Sequence, residues 1–216
     1  MKKCFALVAL LLPFGSAVVF SDGTDLLGIV MTGSLEDIRA AIERGGNVNA
    51  SGEGGMTPLI AAARYNDAAI GTLLEAGADA NAHDTQFGAT ALMWVAAYAK
   101  MVEPVRALLA AGAEVEALDK DGGTAVMWAA AHNPNVNVLA ALIERGANLS
   151  ARTRAGLTAL IMAARGNGPA IVGMLLDAGA DAKVRDSYGN TALSYARYNS
   201  QLANTSTLRR LEEISR

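Results

Sequence analysis

One cysteine, two histidines and an aromatic share of 5% leave this 216-residue chain few chemical tools. The lone thiol, Cys4, has no partner within the chain for a disulfide. His83 and His132, with no further cysteine, fall short of the ligand set of an ordinary structural zinc site. The 18 basic side chains stand against 21 acidic ones, net −3, too little positive field to hold nucleic acid non-specifically. No G-x-S-x-G elbow is present. Gly52-Glu53-Gly54-Gly55 has no lysine after it at P-loop spacing, so turn glycine explains that stretch. No catalytic, metal or cofactor residues are therefore expected, and the chain is read as no enzyme.

Long apolar runs are scarce too. The one that exists, Cys4 to Phe20, follows the positive stretch Met1-Lys2-Lys3 and precedes small residues, the order of an export signal. Cleavage after Val19-Phe20-Ser21 makes residues 1–21 the signal peptide and 22–216 the mature chain. A cut after Ala17, with Gly15 at the minus-three position, is the alternative. An uncleaved anchor is the competing reading, and only then is a membrane a partner. At about 17 residues the run is at the short limit for a span, and Pro13 interrupts it. Cys4 lies before the apolar core, the wrong end for lipid attachment. A mature chain without thiols fits bacterial export to the periplasm, with secretion or membrane anchoring as alternatives. Two sequons, Asn148-Leu149-Ser150 and Asn204-Thr205-Ser206, match a pattern common by chance.

What the chain does have is periodicity. Thr57, Thr90, Thr124, Thr158 and Thr191 recur every 33 or 34 residues, each two places after a glycine: Gly55, Gly88, Gly122, Gly156 and Gly189. Each opens a small apolar run, TPLIAAA, TALMWVA, TAVMWAA, TALIMAA and TALSYAR. A second column, Gly77-Ala78, Gly112-Ala113, Gly146-Ala147 and Gly179-Ala180, keeps the same phase. Such a period means stacked units with one shared core. In the unit from Asp119, Gly122 predicts a tight turn and Thr124 a helix cap. Ala125–Ala131 form a slim first helix, and Pro134 stops it. Val136, Leu139, Leu142 and Ile143 then line one face of a second helix, which Gly146 ends in the left-handed region.

Period, glycines and the threonine-led run together resemble the ankyrin repeat, from about Asp25 to the C-terminus. The resemblance implies an all-α helix-turn-helix-hairpin solenoid of about six units: 25–50, 51–82, 83–117, 118–151, 152–184 and 185–216. The first and last read as caps, with polar Glu36, Asp37, Glu43 and Arg44 at one end and Arg209, Arg210, Glu212 and Glu213 at the other. The chain departs from the family box: only Pro58 keeps its proline. Ile60, Met93, Met127, Ile161 and Ser194 replace the histidine that in the family bonds neighbouring repeats. Apolar contact is expected to substitute for that bond. One residue is missing near Tyr65–Ala69 and one is added in His83–Gly88.

The family binds protein partners through its concave face and hairpin tips, so a non-catalytic scaffold for an unidentified protein is the expected function. A binding module for a small ligand or cell-envelope component is the alternative. By this analogy two columns face the partner: Tyr65, Tyr98, His132, Gly166 and Asn199, and Arg64, Ala97, Ala131, Arg165 and Tyr198. The tips offer Glu53, then Asp84 and Phe87, then Asp119, Lys120 and Asp121, then Arg152 and Arg154, then Arg185 and Tyr188, running from acidic to basic. Trp94 and Trp128, at equivalent places in adjacent units, are expected to lie between the helix layers as core. Met93, Met127 and Met162 are expected to fill gaps.

Overall fold

A computed structural model describes residues 25–215. The expected signal peptide, residues 1–21, lies outside them. Twelve α-helices follow one another in six pairs among the described residues: α1 (Leu26–Thr32) with α2 (Leu35–Glu43), α3 (Pro58–Tyr65) with α4 (Ile70–Glu75), α5 (Ala91–Tyr98) with α6 (Glu103–Ala110), α7 (Ala125–His132) with α8 (Val136–Glu144), α9 (Ala159–Gly166) with α10 (Pro169–Asp177), and α11 (Ala192–Ala196) with α12 (Ser206–Ile214). No strand occurs among those residues; one antiparallel bridge joins His83 to Thr90.

The odd-numbered helices stack on one another and form an inner layer, with the even-numbered helices outside them. Alanine makes the close approach possible. Ala61, Ala62, Ala96, Ala129, Ala130, Ala163 and Ala164 are fully buried along the inner layer, where any longer side chain would force neighbouring helices apart. Leu73, Leu108, Leu139 and Leu175 come from the outer helices, and one core runs unbroken from Leu26 to Leu211.

The outer helices α4, α6, α8 and α10 end as the glycine column predicts. Gly146 has φ +83°, and its N–H reaches the Ile143 carbonyl at 2.9 Å while Ala147 N–H reaches Leu142 at 3.1 Å. The tip glycines serve a second purpose. At Gly88, φ +69°, an added Cβ would come 3.1 Å from the Lys120 nitrogen, because the next tip is hydrogen-bonded there. Successive tips are tied by single backbone bonds: Thr85 N–H to Gly54 at 2.6 Å, Lys120 to Phe87 at 2.8 Å, Arg154 to Asp121 at 2.7 Å and Ser187 to Ala155 at 2.9 Å.

The threonine column caps the inner helices with one exception. Thr57, Thr90, Thr158 and Thr191 accept from the backbone three residues on. Thr124, the expected cap of α7, does not: its hydroxyl is buried without a partner. The Met127 N–H that it would receive is already taken by the Thr124 carbonyl at 3.0 Å, a tighter first turn. The insertion near His83 appears as a wider turn, Gly88 N–H reaching back to the Asp84 carbonyl, where the tip of the next unit closes from Gly122 to Asp119.

The end pairs carry polar outer sides. Glu36, Asp37 and Glu43 of α2 and Arg44 just after it are exposed. On α12 Arg210 pairs with Asp177 of the preceding outer helix at 2.6 Å, while Leu211 is buried beneath it. Solvent can meet both ends of the stack.

Candidate functional site: an aromatic inner face

The tips are held from below by acidic side chains. Asp84 Oδ1 accepts from Phe87 and Gly88 N–H at 2.6 and 3.2 Å, closing its turn, and Oδ2 accepts from the Trp94 indole at 3.1 Å. Asp119 repeats the arrangement with Asp121, Gly123 and the Trp128 indole at 2.8, 2.7 and 2.7 Å. Asp186 repeats it with Tyr188, Asn190 and the Tyr195 hydroxyl at 2.9, 2.9 and 2.6 Å. Asp84 is thus buried beneath its tip and offers no charge to a partner there, contrary to its expected place on the exposed tip. Burial alone would push the Asp186 carboxyl up. The hydrogen bonds from Tyr195, Asn190 and Tyr188, with Arg152 nearby, outweigh it and hold the group below its ordinary value. The same bond, aided by burial, raises the Tyr195 phenol above its ordinary value.

The indoles therefore turn towards the hairpin bases, because each N–H finds its acceptor there. Trp94 is buried, as expected of core. Trp128 is only half-buried and lies at the surface of the inner face, a correction to its expected core position. The two rings meet edge to face across the repeat boundary, with centroids 5.2 Å apart.

Around this pair the expected partner-binding residues divide into groups. The Arg64 guanidinium lies 4.3 Å from the Trp94 ring centre and 5.2 Å from that of Tyr65. Tyr98 stacks on Trp94 at 6.1 Å and His132 stacks on Tyr98 at 5.9 Å. Phe87, from the tip, meets Trp94 edge-on at 5.8 Å. Arg64, Tyr65, Tyr98 and His132 thus form one patch, with Tyr98 57% exposed. Arg165 and Tyr198 are exposed further along, near Tyr195, outside this patch. At the tips Arg152 donates to the Arg185 carbonyl, and Arg185 donates to Gly189 at 2.7 Å, so both are partly committed to the fold. The Arg154 side chain is exposed.

Asn199 departs from expectation. It is buried, and its amide donates to Ala164 and Asn167 carbonyls at 3.0 and 2.8 Å. Helix α11 ends a turn early, at Ala196, so Asn199 takes the place that Asn167 holds one repeat before. It belongs to a ladder that the sequence reading missed. Asn66 donates to Val30 and Gly33, Asn133 to Ala96 and Ala99 at 3.0 Å each, and Asn167 to Ala130 and Asn133 at 3.1 and 2.9 Å. The lost family histidine is thus not replaced by apolar contact alone. Its polar link has moved to the far end of the inner helices. The signal was there, an asparagine eight or nine places after four of the five threonines.

Two family models match the chain. One, described as ankyrin repeats (3 copies), matches residues 66–153, and the other, ankyrin repeats (many copies), matches residues 130–196. Together they span more than half of it. No curated protein matches the chain.

Proposed function

The chain belongs to the ankyrin-repeat family, and we propose that it is an exported, non-catalytic scaffold that holds one partner protein on its inner face. Members of this family generally mediate protein–protein contact. The observation that carries the reading is the run of exposed Tyr65, Tyr98, His132 and Arg165 on successive rigid units, ending in Tyr198, 93% exposed. Tyrosine and arginine are the side chains that most often anchor interfaces. Tyr65, Tyr98, His132 and Arg165 cost little to order, because the inner helix that carries each is packed between neighbouring inner helices. The arginine-bearing tips at Arg152, Arg154 and Arg185 add a positive margin that speeds encounter with an acidic partner surface.

The Lys2-Lys3 stretch and the apolar run behind it support export, and the absence of thiols after Cys4 supports the periplasm. Affinity capture from a periplasmic extract, followed by binding measurements on the captured protein, tests the interface. Arg165→Ala and Tyr98→Ala should each weaken binding, by about 2 kcal/mol if the side chain is an anchor. Binding that survives both, yet is lost on changing exposed Arg106 or Asp177 of the outer helices, would place the interface on the other side.

A further inference from the structure

Phe87, Trp94, Tyr98, Trp128, His132 and Met162 line a cleft of about 280 Å³ that runs from the third to the fifth repeat, with Asp119, Asp121 and Thr153 on its tip side. That space is just below the range of drug-sized ligand pockets, roughly 300–1,000 Å³, and suits one long side chain. Its walls carry a specific electrostatic character. The ring faces present negative π density. The Asp119 carboxylate is bound by the Trp128 indole and two backbone N–H groups, all neutral donors. Asp121 is exposed, and neither carboxylate has an ion-pair partner among the described residues. Lys120, which stands between them in the chain, turns away and donates to the Thr85 carbonyl at 2.6 Å.

The chain itself shows what this surface accepts. Arg64 already lays its guanidinium against Trp94 from the preceding repeat, 4.3 Å from the ring centre. The rings on the cleft side of Trp94, those of Trp128, Tyr98 and His132, carry no such cation among the described residues. An anionic group would meet two carboxylates there, and an apolar one would leave both without a counter-charge.

We propose that this cleft receives a lysine or arginine side chain of the partner protein, its stem against the rings and its charged end at Asp119 and Asp121. The proposal rests on the scaffold reading and adds the chemistry of one contact. Cation–π attraction and a charge-assisted hydrogen bond then act on the same group. Arg152, Arg154 and Arg185 follow on the next two tips, so the partner's basic side chain at this tip would be followed by acidic ones opposite those arginines.

Trp94 and Trp128 are the chain's two tryptophans, so its intrinsic fluorescence reports on this cleft. Four end-capped peptides, identical except for a central arginine, lysine, norleucine or glutamate, are titrated into the full chain. The arginine and lysine peptides should saturate with a Kd about tenfold below that of the norleucine peptide, the factor a desolvated cation–π contact supplies. Their affinity should fall as salt rises. Asp121→Asn should remove most of that advantage at an unchanged melting temperature, and Asp121→Glu should restore it. Equal binding of norleucine, preference for glutamate, indifference to Asp121→Asn, or no saturation by about 10 mM peptide overturns the proposal. If the peptides fail while Arg165→Ala still abolishes partner capture, the scaffold stands and the cationic contact falls. If the peptides bind while every inner-face substitution leaves capture intact, the scaffold reading fails and the cleft remains.

Discussion

The side-chain amide of Asn167 donates to the backbone carbonyl of Asn133, 2.9 Å away, the residue that fills the same place one repeat earlier. Asn199 treats the Asn167 carbonyl in the same way, at 2.8 Å. Asn133 and Asn167 are thus each both a donor to the repeat before and an acceptor for the repeat after. The ladder skips the third unit, where Ala99 stands in the asparagine's position. At that boundary Arg64 reaches across to Trp94 instead.

Asn167→Ala should open the stack between its fourth and fifth units. The buried carbonyls of Ala130 and Asn133 would each lose a donor, and an unsatisfied buried group costs about 1–3 kcal/mol. Urea unfolding should show the loss, and amide exchange should rise first next to the cut, since stack stability is a sum of local terms. Asn66→Ala should cost less, because Asn66 is half-buried and its second bond is 3.5 Å long.

Valine should separate two threonines that look alike in sequence. Thr158→Val removes a working cap and should cost about 1 kcal/mol. Thr124→Val replaces a buried hydroxyl that has no partner and should be neutral or stabilising. Equal losses in thermal melts of the two variants would show that Thr124 is bonded in solution.

The tryptophans should also differ. Trp94→Ala should cost about 3–5 kcal/mol, as for a buried large-to-small aromatic change. Trp128→Ala should cost less, about 1.5–3 kcal/mol, because part of its ring stays in water. Equal costs in denaturant titrations would return Trp128 to the core.

Asp186 and Tyr195 should shape both ends of the pH–stability curve. A carboxyl held low in the fold contributes stability above its unfolded pKa, lost as pH falls through the folded one. A phenol held high contributes stability below its unfolded pKa, lost as pH rises through the folded one. Tyr195→Phe should therefore start acid unfolding at higher pH and flatten the alkaline loss. Unchanged limbs in melting temperature against pH would show that the bond is not made.

Protein released by osmotic shock should begin at Asp22 on N-terminal sequencing, as cleavage after Ser21 requires. Full-length chain confined to the membrane pellet would instead mark an anchor.

Periodicity made the helix pairs legible because a repeat writes the same physical demand many times. Gly146 had to be glycine at a left-handed cap, and the alanines had to be small between stacked helices, wherever the partner lay. Asn199 was misplaced because counting from Thr191 assumes helices of equal length, and α11 is short. Trp128 was misplaced because spacing gives a position along a helix and says nothing of what will cover the ring, and Arg64, Phe87 and Tyr98 all lie against Trp94. Both indoles find an aspartate at the base of their own tip, so that bond does not separate them.

The sequence by itself therefore determined the stack: number of units, caps, glycine turns and the slim inner helices, all set by local sterics and hydrophobic period. Only the tertiary structure decided how the units are joined and what their inner face presents. The asparagine ladder, the Arg64–Trp94 contact and the cleft beside Trp128 each need side chains from two repeats at a fixed separation, and that separation exists only once the core between them has closed.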